Sequence, residues 1–147
     1  MALSFKLHTD AALTIEQVGN LVATQNADGS TPAIEFQLWL GSLGSAGGDT
    51  VDRKIQADSD PGVDAIVLSV EDNDPGNGHE TTEIKLALTQ GGLAGAVAGD
   101  PLTLPVTINS GSVNGVEFWI QVDDATGAVG TVTELSVTTV AVRETDI

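Results

Sequence analysis

The sequence predicts an all-β fold, an antiparallel β-sandwich with an irregular N-terminal segment. Apolar residues alternate with polar ones along most of the chain, which is the period of a strand with one buried face. Turn signals rich in Gly and Pro separate these runs, and helical periodicity is weak. Short strands at regular spacing are typical of sandwiches and barrels. Immunoglobulin-like and jelly-roll-like topologies both fit this pattern.

The alternation defines the predicted strands in chain order. It runs through residues 3–7, 34–40, 66–70, 84–88, 102–108, 116–122 and 135–142. In the last segment the phase slips by one residue around Thr138 and Thr139, which predicts a β-bulge or a sharp bend. Pro105 cannot donate to a sheet ladder, so its strand is predicted at a sheet edge.

The predicted domain organisation is a single domain with two parts. A chain of 147 residues fits one domain, and no linker or fixed-period repeat divides it. Residues 1–31 are less regular and could form an arm across the domain or onto a neighbour, while residues 32–147 form the sandwich body. The first residues lack a basic stretch followed by an apolar run, and no apolar run approaches the ~20 residues of a membrane span.

Composition excludes several classes of function. The chain has no Cys, which excludes a disulfide framework, thiol catalysis and thiolate metal sites. Five Lys and Arg face 21 Asp and Glu, for a net charge of -16. Such a surface repels nucleic acid and anionic lipid, so neither nucleic acid nor membrane is an expected partner. The same balance fits a marine or hypersaline setting, where salt screens self-repulsion, or simply an acidic soluble surface.

The sequence predicts no catalytic residues, and the protein is expected not to be an enzyme. Its two histidines, His8 and His79, are far apart in sequence, and there is no Tyr. No G-x-S-x-G motif supports a nucleophilic Ser. His8 continues the polar face of the first strand and His79 follows a Gly-rich loop, so both are expected at the surface.

One acidic loop raises the question of calcium. Ca²⁺ prefers six to eight carboxylate and carbonyl oxygens, and Asp72 and Asp74 lie in a segment that could supply several. The segment does not match the EF-hand pattern, and a solvated acidic loop is the alternative. No other cofactor is predicted.

Two strands share a tryptophan pattern that predicts an interface. In residues 34–40 and 116–122 the branched and phenylalanine residues occupy one face, and Trp shares the other with Glu and Gln. An outward-facing Trp is a poor surface residue and a good interface anchor. Alternatively, a loop or the N-terminal arm covers each Trp within the monomer. The interface candidates are Trp39, Glu35, Gln37, Trp119, Glu117 and Gln121.

Three segments resemble the small β-sandwich structural proteins of tailed viruses such as bacteriophages, which decorate capsids or build tail and fibre parts. They are QADSDPGVD at 56–64, VEFWIQV at 116–122 and GAVGTVTELSV at 127–137. The resemblance implies a location in the virion and the major capsid protein or another virion protein as the partner. We therefore expect a capsid decoration, or cement, protein that stabilises the shell by binding between capsid subunits and that also self-associates. The alternatives are a tail or fibre component and a calcium-assisted carbohydrate-binding or adhesion module.

Overall fold

The computed structural model describes residues 3–25, 33–123 and 130–147. These ranges contain only strands, turns and short 3-10 helices, which confirms the all-β prediction. No helix in them is long and apolar enough to span a membrane. The strands are β1 Lys6–His8, β2 Ala23–Gln25, β3 Ile34–Gly41, β4 Arg53–Ala57, β5 Val67–Asp72, β6 Ile84–Ala87, β7 Leu102–Thr103, β8 Thr107–Asn109, β9 Val116–Val122, β10 Gly130–Val132, β11 Leu135–Thr139 and β12 Val142–Asp146. The 3-10 helices are Gly44–Gly47, Thr81–Glu83, Gly91–Gly95 and Ser112–Asn114.

The first layer is a four-stranded antiparallel sheet in the order β1-β3-β9-β6. Its centre is the pairing of β3 with β9, and strict alternation sends successive side chains of these strands to opposite faces. Leu38, Phe118 and Ile120 are buried on the inner face, and Phe36 packs half-buried against the same core. The inward orientation predicted for these four residues is therefore confirmed.

The second layer is a strip of three strands that is interrupted at mid-length. One half has the order β12-β4-β8 and the other β11-β5-β7. Backbone hydrogen bonds extend the pairing of the β11-β5-β7 half into the interruption, including Val140 N to Val67 O and Leu104 N to Ile66 O. The break between β11 and β12 follows directly on the predicted phase slip. Pro105 lies in the break between β7 and β8, at the edge of the strip, as its missing N–H donor requires.

The order in which the chain visits the two layers can be compared with that of an immunoglobulin sandwich. From β3 onward the chain passes alternately between the layers: β3, then β4 and β5, then β6, then β7 and β8, then β9, then β11 and β12. β2 and β10 form a separate two-stranded sheet and are not part of this alternation between the layers. An immunoglobulin sandwich keeps its last two strands in one sheet, whereas β9 and β11–β12 lie in different layers. The connectivity therefore differs from that of an immunoglobulin sandwich.

A single hydrophobic core lies between the layers. It combines inward residues of the four-stranded sheet with Ile55, Leu68 and Ile108 of the interrupted strip. The described part of the predicted arm, residues 3–25, contributes Phe5 and Leu21 to this core. Residues 1–2 and 26–31 of the predicted arm lie outside the described residues.

The surface positions expected for the two histidines are wrong. The His8 side chain is 8 % exposed, because the chain after β1 turns back and Glu16 forms a β-bridge with His8. His79 is 1 % exposed, and its Nδ1 lies 3.7 Å from Oε2 of Glu83. Its backbone N–H donates to Glu134 Oε1 at 2.7 Å, so contacts with Glu134, just before β11, and with Glu83 of the 3-10 helix Thr81–Glu83 hold His79 inside.

Candidate functional site

The structure brings the six interface candidates together on the outer face of the four-stranded sheet. We call Glu35, Gln37, Trp39, Glu117, Trp119 and Gln121 the tryptophan face. In the pairing of β3 with β9, Trp39 lies opposite Glu117 and Gln37 lies opposite Trp119. The two indoles therefore occupy one diagonal of a two-by-two block, and Gln37 and Glu117 occupy the other. Diagonal neighbours are about 7–8 Å apart, within reach of aromatic side chains.

Glu117 fixes the centre of this block. Its Oε1 accepts hydrogen bonds from Gln37 Nε2 at 2.5 Å and from Trp119 Nε1 at 3.1 Å. A carboxylate with two such donors has one preferred orientation, and the indole N–H of Trp119 is satisfied within the chain. Among the described residues no donor contacts the second oxygen of Glu117. The block thus presents two aromatic rings and a carboxylate oxygen that can still accept a hydrogen bond.

A second polar row lies next to the block. Glu35 Oε1 accepts from Gln121 Nε2 at 3.3 Å, and Glu35 Oε2 accepts from Gln90 Nε2 at 2.7 Å. Lys85 of β6 lies opposite Gln121 in the sheet. Gln90 belongs to the loop after β6, and no sequence pattern linked it to this face. Both carboxylate oxygens of Glu35 accept hydrogen bonds, so these polar side chains are held in place beside the indoles.

One end of the tryptophan face is covered by the chain's own N-terminal segment. Leu13 is 3 % exposed and packs into a notch formed by Gly41 and Gly115 at the ends of β3 and β9. A Cβ at Gly41 would lie 2.7 Å from Leu13 Cδ1, so a larger residue there would displace the Leu13 side chain. Leu13 has φ +57°, a left-handed conformation that is uncommon for a side chain of this type. Burial of Leu13 offsets that cost.

The 3-10 helix Gly91–Gly95 lies along the β6 side of the tryptophan face. Leu93 is buried there, apart from the central core. A Cβ at Gly92 would lie 3.2 Å from Ala87 Cβ, and Ala87 is the neighbour of Trp119 in the sheet. Trp39 and Trp119 themselves are half-buried, and Glu35 and Gln37 are exposed. The N-terminal segment and the 3-10 helix therefore flank the tryptophan face, and its middle stays accessible.

The calcium candidates Asp72 and Asp74 support the shape of their own loop. Asp72 Oδ1 accepts from the backbone N–H of Asp74 at 2.9 Å, and Asp74 Oδ1 accepts from Asn77 Nδ2 at 3.1 Å. In residues 3–25, 33–123 and 130–147, no three His, Asp or Glu side chains are grouped so that they could hold a metal ion. Asp72 thus caps a turn of the backbone, and Asp74 contacts another side chain of the same loop.

Comparisons of the chain with protein-family models, with curated proteins and with solved structures find no match. The functional conclusion therefore depends on the tryptophan face and on the sequence patterns themselves.

Proposed function

We propose that this protein is a non-catalytic structural component of a virus particle, a capsid decoration protein that binds between capsid subunits through its tryptophan face. The observation that carries the proposal is the half-buried pair Trp39 and Trp119, with Glu117 fixed between them. The resemblance of three segments to virion structural proteins supports the particle as the setting.

The indoles have the properties of interface anchors. Trp is enriched among the residues that dominate binding energy, and completing the burial of each half-covered ring is worth on the order of 1 kcal/mol at 25 cal/mol per Å². The hydrogen bond from Trp119 to Glu117 holds one ring in place before binding. Less side-chain entropy is then lost on association, so more of the burial energy appears as affinity.

The charge of the chain indicates the chemistry of the partner surface. The tryptophan face carries Glu35 and Glu117 on a molecule of net charge -16, so a basic surface is the complementary one. An arginine guanidinium could stack on an indole and donate to the free oxygen of Glu117. Two copies of the chain repel each other at low salt, so the proposed self-association should strengthen as salt is added.

The test is binding to the intact particle that contains this protein, with native and variant chains competing for the same positions. Trp119→Gln and Trp39→Gln should each weaken binding about fivefold or more, since completing the burial of each ring is worth on the order of 1 kcal/mol. Val63→Gln is the matched control, because Val63 is an apolar residue 69 % exposed on a loop of the other layer. Equal binding by the Trp variants and the control would overturn the proposal.

A carbohydrate-binding or adhesion module is the second candidate, and one observation favours it. Trp39 and Trp119 lie beside Gln37 and Gln121, and aromatic rings next to amides can stack on and hydrogen-bond sugars. Saturable binding of an oligosaccharide that disappears in Trp119→Gln, without binding to the particle, would favour this candidate. A tail or fibre component is the third candidate. The location of the protein in the particle distinguishes this role from capsid decoration.

A further inference from the structure

The loop between β5 and the 3-10 helix Thr81–Glu83 contains an asparagine followed directly by a glycine. Residues 73–78 of this loop are all exposed, and Asn77 precedes Gly78. The backbone nitrogen of Gly78 can attack the side-chain amide of Asn77, because a glycine has no side chain that would hinder the approach. The product is a five-membered succinimide ring, the intermediate of asparagine deamidation. The pair therefore has the sequence that spontaneous deamidation requires, and it lies outside the tryptophan face.

The surroundings of Asn77 leave the reacting groups accessible. Asn77 lies in a bend between elements, and no strand or helix includes it. The backbone N–H of Gly78 donates to no backbone carbonyl among the described residues. The Asn77 side chain is held by an exposed hydrogen bond, from Nδ2 to Asp74 Oδ1 at 3.1 Å. A bond of this kind exchanges readily with water, so the amide is free to turn toward Gly78.

The other Asn-Gly pair of the chain, Asn114 and Gly115, is held in place. Gly115 N–H donates to Ser112 O at 3.3 Å, at the end of a 3-10 helix, and Asn114 Nδ2 donates to Ser110 O at 2.8 Å. Attack on the Asn114 amide therefore requires this turn to open first. A local opening that costs about 1.4 kcal/mol already slows such a reaction tenfold. The two pairs have the same reacting residues and different protection.

The reaction consumes water and releases ammonia. The nitrogen of Gly78 forms a bond to Cγ of Asn77 and the bond between Cγ and Nδ2 breaks, so the side-chain nitrogen leaves as ammonia with the proton from Gly78. Water then opens the succinimide. Addition of water at Cγ gives an aspartate, and addition at the main-chain carbonyl carbon gives an isoaspartate, in which the backbone runs through the side chain.

Either product changes the contacts that shape the loop. The amide that donates to Asp74 is replaced by a carboxylate, so a hydrogen bond becomes a repulsion between like charges. The ends of the loop keep their own anchors on Glu134. Asn73 N–H donates to Glu134 O at 3.1 Å, and the N–H of buried His79 donates to Glu134 Oε1 at 2.7 Å. The segment between these anchors is therefore the part that loosens.

We infer that Asn77 is a site of spontaneous deamidation in the folded protein, and that its products loosen residues 74–78 while the sandwich core stays intact. The modification adds a negative charge to a chain that already carries a net charge of -16. It does not depend on the proposed particle-binding role, because the loop is not part of the tryptophan face.

The test follows both Asn-Gly pairs by peptide mass mapping while the folded chain ages in mildly alkaline buffer. The peptide with Asn77 should convert to a mixture of aspartate and isoaspartate at least about tenfold faster than the peptide with Asn114. In urea that unfolds the chain, the two rates should come within about threefold, because the turn at Asn114 is then lost.

Matched variants connect the reaction to one residue. Asn77→Gln should remove most of the ammonia that the folded chain releases, because a glutamine must close a less favourable six-membered ring. Asn114→Gln, the same change at the protected pair, should leave ammonia release nearly unchanged.

Hydrogen exchange measures the effect on the loop. The backbone N–H of Asp74 donates to Asp72 Oδ1 at 2.9 Å, and that of Gly76 donates to Glu80 Oε1 at 2.8 Å. Asn77→Asp, which has the chemistry of the aspartate product, should speed exchange of these two amides severalfold and leave the amides of β5 unchanged.

Three results would overturn the inference. Equal rates at Asn77 and Asn114 in the folded chain would show that the fold does not select the site. An Asn77 peptide that converts in urea and not in the folded chain would show that the loop protects its amide. Unchanged exchange at Asp74 and Gly76 in Asn77→Asp would overturn the loosening of the loop.

Discussion

At the scale of single residues, the face of the sheet on which a side chain lies decides whether it belongs to the core or to the tryptophan face. Trp119 and Phe118 are adjacent in β9, yet Phe118 is fully buried in the core and Trp119 is half-buried on the outer face. Strict alternation alone predicts this difference. The hydrogen bond from Trp119 to Glu117 was not predictable, because it depends on the register of β9 against β3 and on side-chain rotamers.

The two neighbours should differ in what they contribute to the fold. Phe118→Ala should lower the free energy of unfolding by roughly 3–5 kcal/mol, through lost burial and a cavity. Trp119→Gln should cost markedly less, because the ring is partly exposed on the outer face and Gln can still hydrogen-bond to Glu117. Urea unfolding of both variants measures this difference. Equal destabilisation would mean that Trp119 is a core residue, and the tryptophan face would lose its role as an interface.

At the scale of elements, most strands were predictable and their covers were not. The alternation located most strands of the two layers but not β4, the middle strand of one half of the strip. The phase slip lies next to the break between β11 and β12, and Pro105 lies at an edge as predicted. The turn that places Leu13 over Gly41 and Gly115, and the 3-10 helix that places Leu93 beside β6, have no periodic signal, because each depends on one contact between distant segments. Burial of His8 and His79 was missed for the same reason.

The turn at residues 10–15 gives a pH-dependent prediction. Asp10 accepts hydrogen bonds from Thr14 Oγ1 at 2.6 Å and from the backbone N–H of Ile15 at 2.8 Å. The bond from the Thr14 side chain, followed by that from Ile15, lowers the pKa of Asp10 below its usual 3.8. A carboxylate with a lowered folded-state pKa stabilises the fold above the unfolded pKa, and that contribution is lost as the pH falls through the folded value.

Asp10→Asn should therefore lower the melting temperature by the same amount at pH 7 and at pH 5. The difference from wild type should shrink below pH 3.8 and vanish once Asp10 is protonated in both states. Asp100→Asn is the matched control, because it removes the same charge from an exposed carboxylate that accepts no hydrogen bond among the described residues. A difference for Asp10→Asn that stays constant down to pH 2 would contradict the role of its charge in the turn.

For the whole molecule, the dominant physical property is its charge. With 21 acids against five bases, repulsion within the folded chain is screened as the Debye length falls from about 10 Å at 0.1 M salt to about 3 Å at 1 M. The melting temperature should rise with NaCl over this range, as a scanning calorimeter can measure. A flat or falling response would contradict adaptation to a saline setting. A rise with millimolar Ca²⁺ but not with NaCl of equal ionic strength would instead indicate a site near Asp72 and Asp74.

The central claim, that the tryptophan face docks on a basic surface of a neighbouring capsid subunit, is tested most directly by cryo-electron microscopy of the source virus particle. The account predicts this sandwich on the outside of the capsid, bound between subunits, with Trp39 and Trp119 fully covered and a basic side chain of the neighbour at Glu117. A particle in which the domain is attached through another surface, with both indoles open to solvent, would contradict it.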